Sequence, residues 1–187
     1  MAEITRSTSL QELAALISQA LESAGILATL SGGSAVSLYT DNRYQSHDLD
    51  FVTSADPKRL EPVVAALGFV ATGSKRLYEH PQTEWLVEFP AGPLGFGHRV
   101  IDARQLESLN TPWGPLRVIT PTLCVMDRLA AFCHWQDRQC WDQALLVAQA
   151  HTVDWQQLHE WATQEGLDQE AWQRFRTEAN GASSELQ

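Results

Sequence analysis

Apolar side chains recur at helical spacing near the start of the chain. They lie three or four residues apart, at Leu10, Leu13, Ile17 and Leu21. Ser9 and Glu12 have the spacing of a capping box, in which the two residues satisfy free N–H groups at the start of a helix. The period and the cap together predict a first helix that buries one face.

Short apolar runs and turn residues then alternate along the chain. The run "ILATL" (26–30) predicts a short buried strand, which ends at Gly32 and Gly33. Residues 34–39 suit a short helix, and "DLDFV" (48–52) predicts a second strand. The predicted order of elements in this part of the chain is therefore strand, glycine turn, helix and strand.

A proline-led helix and a stretch rich in strands follow. Asp56 stands where an N-cap is expected and Pro57 at the first helical position, which predicts a helix that stops at Gly68. Between residues 69 and 120, four runs with strand character are separated by Gly and Pro clusters: "GFVAT", "KRLYEH", "EWLVEFP" and "PLRVIT".

Helical periodicity returns at Pro121 and continues almost to the end. The predicted helices are 122–135, 139–150, 153–165 and 168–179, followed by a frayed tail, "ASSELQ". We therefore predict an α/β (α+β) protein with a mixed sheet and helices in residues 1–120. A C-terminal helical bundle, residues 121–187, is expected to pack against it as a second domain.

Two acidic residues stand on the second predicted strand. Side chains two positions apart on a strand share a face, so Asp48 and Asp50 point the same way while Leu49 and Phe51 point into the core. Neighbouring carboxylates repel each other unless a cation lies between them. Oxygen ligands at this spacing suit Mg²⁺, which takes the rest of its shell from water and substrate phosphates.

The glycine turn offers a complementary feature. A strand followed by Gly32, Gly33 and Ser34 at the start of a helix brings backbone N–H groups and the helix dipole to one place. Glycine allows a ligand to approach the backbone closely, and the serine adds a hydroxyl donor. A phosphate cradle followed by a metal-binding acidic pair on the next strand is stronger evidence for a site than two glycines alone.

The segment "LSGGSAVSLYTDNRYQSHDLDF" (30–51) resembles the signature of the DNA polymerase β-like nucleotidyltransferase superfamily. That signature is a Gly-Gly/Ser turn, a short helix and an Asp-x-Asp on the neighbouring strand. The form that begins at Arg43 and runs through Ser46 to Asp48 and Asp50 is closest to the branch of abortive-infection type E toxins. Residues 120–150 resemble the helical domain of that branch.

The resemblance implies a fold and an activity. The fold would be a nucleotidyltransferase-type mixed sheet, and the enzyme would move a nucleoside monophosphate from an NTP to a hydroxyl acceptor with Mg²⁺ or Mn²⁺. A protein hydroxyl, a tRNA 3′ end and a small molecule all remain open as acceptors. The branch also implies the toxin of a toxin–antitoxin pair, with an antitoxin protein as partner. The alternative is a catalytically silent relative that acts as a binding or interaction module.

Members of the superfamily carry a third carboxylate on a later strand. Glu88 in "EWLVEFP" is the best fit, because Leu86 and Glu88 would share a face opposite Val87 and Phe89. Glu84 would lie on that same face and is the competitor. The resemblance thus implies that Asp48, Asp50 and one of these glutamates hold the metal and carry the catalysis.

The resemblance also suggests which residues contact the nucleotide. They are Gly32, Gly33, Ser34, Arg43, Lys75 and Arg128. Arg128 stands where the branch often has Lys, and its frequent Arg-Asp pair appears here only in reversed order, as Asp137-Arg138. Each basic residue also has an ordinary interpretation: Arg43 paired with Asp41, and Lys75 and Arg128 solvated.

Charge and composition limit the kinds of binding partner and the cellular location to be expected. The 13 basic residues against 23 acidic ones give a net charge of −10, which argues against non-specific DNA binding through neutralised phosphates. No apolar run approaches the roughly 20 residues that a membrane span needs, and no secretory signal is expected at the N-terminus. The odd count of three cysteines fits reduced thiols, and we expect a cytoplasmic protein.

Overall fold

The computed structural model describes residues 4–181 and, within them, an α/β arrangement. The tail expected to fray, 182–187, lies outside the described residues. The helices are α1 (Leu10–Ser23), α2 (Gly32–Tyr39), α3 (Pro57–Ala65), α4 (Pro121–Trp135), α5 (Arg138–Ala150), α6 (Trp155–Glu165) and α7 (Gln169–Gly181). The strands are β1 (Thr29–Ser31), β2 (Asp48–Val52), β3 (Val70–Ala71), β4 (Leu77–Glu79), β5 (Leu86–Glu88), β6 (Gly95–Phe96), β7 (Arg99–Val100), β8 (Leu109–Thr111) and β9 (Gly114–Leu116).

Side-chain caps set where the helices begin. The Ser9 side chain accepts a hydrogen bond from the backbone N–H of Glu12 at the start of α1. Asp56 caps α3 in the same way, with a proline in the first turn of the helix. Asp137 and Asp154 cap α5 and α6. These residues satisfy N–H groups that have no partner inside the helix, so each cap confirms a predicted helix start to within a few residues.

The main sheet has five strands in the order β1-β2-β5-β4-β3. The central pair, β2 and β5, runs parallel, and the other neighbours run antiparallel. The sheet is therefore mixed, as predicted. The parallel pair requires the chain to leave β2, form α3 and the β3–β4 hairpin, and return beside β2 as β5.

Several predicted strands are shorter than their apolar runs. The run 26–30 contributes only Thr29–Ser31, and the run 84–90 contributes only Leu86–Glu88. Of the run 115–120, only the first two residues belong to a strand, β9, which ends at Leu116. The backbones of Arg117 and Ile119 then form hydrogen bonds with the backbone of Leu30 in β1. The β6–β7 and β8–β9 hairpins were not predicted as pairs. A strand exists only where a partner backbone runs alongside, which periodicity alone does not reveal.

The hydrophobic core runs continuously through both sequence regions. It includes Leu49 and Phe51 of β2, both fully buried, together with Leu129 of α4 and Trp141 of α5. The helical region thus packs directly on the sheet region, and the division into two domains at residue 120 stays a prediction. No helix within residues 4–181 combines the length and apolar composition that crossing a bilayer requires.

Candidate functional site

The parallel pairing of β2 with β5 assembles three carboxylates. Asp50 lies opposite Glu88 in the register, and Asp48 lies opposite Leu86. One carboxylate oxygen from each of Asp48, Asp50 and Glu88 lies within 4.8 Å of the other two. All three side chains are partly exposed, whereas Leu49 and Phe51, which alternate with the aspartates along β2, are buried. The alternation predicted for β2 therefore holds, and it directs the acids to one face.

The cluster is electrostatically strained when no cation is bound. Burial, and then the charges of Asp48 and Glu88, raise the pKa of Asp50 from its ordinary value of 3.8 to about 7. The charge of Asp127 also raises the pKa of Asp50, and the charge of Arg128 opposes the rise. A divalent cation would remove the repulsion, and three carboxylates are the hard oxygen donors that Mg²⁺ and Mn²⁺ prefer. The residues present thus fit such an ion.

Two serine hydroxyls hold the acidic strand in place. The Ser46 hydroxyl donates to Asp48 Oδ1 at 2.8 Å. The Ser34 hydroxyl donates to the Ser31 carbonyl at 2.8 Å and accepts from the Asp50 N–H at 3.3 Å. The Ser34 hydroxyl is buried and joins α2 to β2, and its contact with a nucleotide stays a prediction.

The glycine turn lies directly against the acids. Gly32 has a φ of +65°, and a Cβ there would overlap the Asp50 carboxylate. A Cβ on Gly33 would come within 3.0 Å of the Ser46 hydroxyl and 3.1 Å of the Tyr44 ring. Gly32 therefore has no room for a side chain, whereas at Gly33 the neighbouring side chains would have to shift by a few tenths of an ångström. The turn brings the start of α2 next to the carboxylates. Gly33 is partly exposed, whereas Gly32 is buried.

Arg128 belongs to a network that sequence reasoning missed. Its Nη2 donates to Asp127 Oδ2 at 2.9 Å, and its Nη1 donates to Gln143 Oε1 at 3.3 Å. The same Asp127 oxygen accepts from the Gly32 N–H at 3.0 Å. Arg128 is therefore not a solvated helix residue: its side chain is 15% exposed. No sequence signal linked Asp127 to Gly32, because 95 residues separate them.

Three other residues predicted for the site are exposed and do not belong to the carboxylate cluster. Arg43 is exposed in the loop between α2 and β2, and within residues 4–181 it makes no ion pair, with Asp41 or with any other acid. Lys75 is exposed in the turn before β4. Glu84 is exposed and precedes β5, so it does not share the strand face of Glu88. Glu88, not Glu84, is the glutamate that meets the two aspartates.

Comparison with solved structures identifies similar folds. An antigenic nucleotidyltransferase-like protein from Paracoccidioides brasiliensis superimposes with a TM-score of 0.59 at 13% identity, over 97% of this chain and 92% of that one. The antibiotic-resistance factor ANT(2″)-Ia matches at 16% identity in two structures. Its solution structure has a TM-score of 0.47 over 97% of this chain and 96% of that one. Its complex with adenylyl-2″-tobramycin has a TM-score of 0.48 over 95% and 99%.

The fold of this chain thus resembles that of the first of these proteins, which is nucleotidyltransferase-like. At such low identity the likeness concerns the fold alone. Neither the models of known protein families nor the curated protein sequences give a match.

Proposed function

We propose that this protein is a metal-dependent nucleotidyltransferase that moves a nucleoside monophosphate from an NTP to a hydroxyl acceptor. One observation carries the proposal: three carboxylates within 4.8 Å of one another lie directly against a glycine turn at the start of a helix. The fold similarity supports the same class of protein. An acid cluster alone is common, but its contact with the glycine turn supplies both halves of a metal–nucleotide site.

The acidic residues would hold the metal. Asp48, Asp50 and Glu88 supply the protein ligands for Mg²⁺ or Mn²⁺, which when bound offsets negative charge on the phosphates and the leaving group. The partly exposed start of α2 at Gly33 would face the triphosphate. Arg128, whose charge acts on Asp50, adds positive charge. We propose that the exposed Arg43 and Lys75 contact the outer phosphates.

The reaction forms one bond and breaks another at the α-phosphorus. The acceptor oxygen bonds to this phosphorus while the bond to the bridging oxygen of the β-phosphate breaks, and pyrophosphate leaves. The acceptor hydroxyl must lose its proton, and Glu88 is the carboxylate proposed to take it because it stands on the neighbouring strand β5. Asp48 and Asp50, on β2, then serve as the primary ligands.

The identity of the acceptor is a further part of the proposal. A protein hydroxyl, a tRNA 3′ end and a small hydroxylated molecule all suit this chemistry. The motif from Arg43 to Asp50 favours the branch of abortive-infection type E toxins, and with it an antitoxin protein as partner. The net charge of −10 makes a broad nucleic-acid surface a poor fit, so an RNA acceptor would have to enter by its end.

The direct test is transfer of label to an acceptor. Purified protein is incubated with each α-labelled NTP, Mg²⁺ or Mn²⁺, and a cell lysate, and the labelled product is identified as protein, RNA or small molecule. Asp48→Ala and Asp50→Ala are expected to abolish labelling while the fold survives. Glu79→Ala, an exposed acid on β4, is the matched control and should label as wild type does. Full activity of both aspartate variants would refute the assignment.

One observation favours a second candidate, a silent module that binds without catalysis. The Gly32 N–H and Arg128, two groups suited to bind anions, are both held by Asp127. Titration separates the two candidates. An enzyme should bind NTP more tightly when Mg²⁺ is present, whereas a silent module should show neither metal-linked binding nor turnover.

A further inference from the structure

Asp127 has no role in the function proposed above, yet it joins two parts of the site. It lies on α4, and its side chain is 17% exposed. Its Oδ2 accepts from the Gly32 N–H at 3.0 Å and from Arg128 Nη2 at 2.9 Å. One carboxylate oxygen therefore connects the glycine turn of α2 to Arg128, whose charge acts on Asp50.

We propose that Asp127 is a positioning residue for the triphosphate: it fixes the glycine turn and orients Arg128 so that both meet the nucleotide. This inference rests on the proposed function. Asp127 itself would contact neither metal nor nucleotide.

The helix α2 needs an external cap at its start. Its N-cap residue, Ser31, makes no side-chain capping bond. The first N–H groups of a helix have no partner inside the helix, and a buried one left unsatisfied is costly. Asp127 satisfies the N–H of Gly32 from a different helix. The glycine turn thus gains from α4 a constraint that its own sequence does not provide.

Arg128 needs an anchor as well. Its guanidinium donates to Asp127 and to Gln143, and its buried Nε has no hydrogen-bond partner within residues 4–181. Asp127 is the only carboxylate that pairs with this side chain in the described part of the chain. A charge-assisted bond of 2.9 Å is among the stronger contacts available to hold an arginine. Without it, the guanidinium keeps only neutral partners.

Asp127 bonds the buried glycine of the turn rather than the partly exposed one. The N–H that it accepts from belongs to Gly32, which is buried, whereas the adjoining Gly33 is partly exposed. An incoming triphosphate would reach Gly33 first. Asp127 therefore supports the turn from the protein side, and it does not stand in for the nucleotide.

The test is binding of a non-transferable nucleotide. The probe is the NTP analogue with a methylene between the α- and β-phosphates, at saturating Mg²⁺, measured by calorimetry. Asp127→Asn keeps an oxygen for the Gly32 N–H but loses the charge that orients Arg128. We expect it to weaken binding about tenfold, the size of a lost charge-assisted bond. Asp154→Asn, the same change at the cap of α6, should bind as wild type does.

A second arm shows whether Asp127 acts through Arg128. In an Arg128→Met background, the additional change Asp127→Asn should alter affinity less than about twofold, because the group that it orients is gone. A merely structural role would give the same loss in both backgrounds. Thermal melts and circular dichroism of every variant verify folding. Unchanged or tighter binding by Asp127→Asn, or a loss that persists beside Arg128→Met, would overturn the inference.

Asp50→Asn in the same assay separates this inference from the proposed function. If the wild type binds with Mg²⁺ and Asp50→Asn removes the metal dependence, the proposed function stands, and the Asp127 result decides the inference by itself. If the wild type shows no metal-linked binding, the proposed function and the inference both fail.

Discussion

Removing the charge of Asp50 should stabilise the metal-free protein, in a way that depends on pH. In the folded state, burial and the charges of Asp48 and Glu88 raise the pKa of Asp50 from 3.8 to about 7. Between those values the folded protein holds a proton that the unfolded chain has released. The free energy of unfolding therefore falls as pH rises from about 4 to about 7, and it levels off above that. Well below pH 4 the Asp50 carboxyl is protonated in both the folded and the unfolded state, so its ionisation no longer lowers the free energy of unfolding.

The size of the effect follows from the same numbers. The difference between 3.8 and about 7, at about 1.4 kcal/mol per pKa unit, corresponds to about 4 kcal/mol at pH 8. Relaxation of the three carboxylates reduces this figure, so we expect Asp50→Asn to raise the free energy of unfolding by about 1–4 kcal/mol at pH 8. At pH 4 the variant and the wild type should differ little.

The assay is urea unfolding in a chelating buffer at pH 4, 6 and 8. Glu84→Gln is the control, because this acid is exposed and lies outside the cluster. Adding Mg²⁺ at pH 8 should stabilise the wild type and not Asp50→Asn, since the ion relieves the repulsion that the substitution has already removed. An Asp50→Asn variant that is less stable than wild type at pH 8 would refute this reasoning. So would a change in the free energy of unfolding that is the same at pH 4, 6 and 8.

Two further comparisons test the site. Glu88→Gln is expected to lower turnover about a hundredfold or more while changing NTP affinity little, because the loss of a general base affects the chemical step rather than binding. Glu84→Gln is the control and should leave steady-state rates unchanged. The reverse result would mean that the wrong glutamate was chosen. Gly32→Ala should abolish metal-linked NTP binding, and it should destabilise the fold by more than Gly25→Ala does. Both glycines have φ near +65°, but only at Gly32 would the new Cβ overlap Asp50. Chemical denaturation and nucleotide titration of the two glycine variants measure these effects. Equal losses of stability in both variants would show that backbone strain alone matters.

The sequence alone determined the features that depend on neighbours along the chain. Capping residues such as Ser9 and Asp56 placed helix starts, because the side chain that caps a helix lies within a few residues of the N–H that it satisfies. The alternation in β2 placed Asp48 and Asp50 on one face, because successive side chains on a strand point to opposite sides. The order of strand, glycine turn, helix and strand followed from the same local rules.

Only the tertiary structure decided the contacts between distant segments. The sequence favoured Glu88 over its competitor Glu84, but only the pairing register shows that Glu88 lies opposite Asp50. The bond from Gly32 to Asp127 joins residues 95 positions apart, and no pattern in either helix encodes it. Strand pairing and interhelical contacts depend on how the whole chain packs, since each needs a partner that local periodicity does not specify. The three acidic residues could thus be predicted from the chain, while the register that brings them together and the network that supports them required the fold.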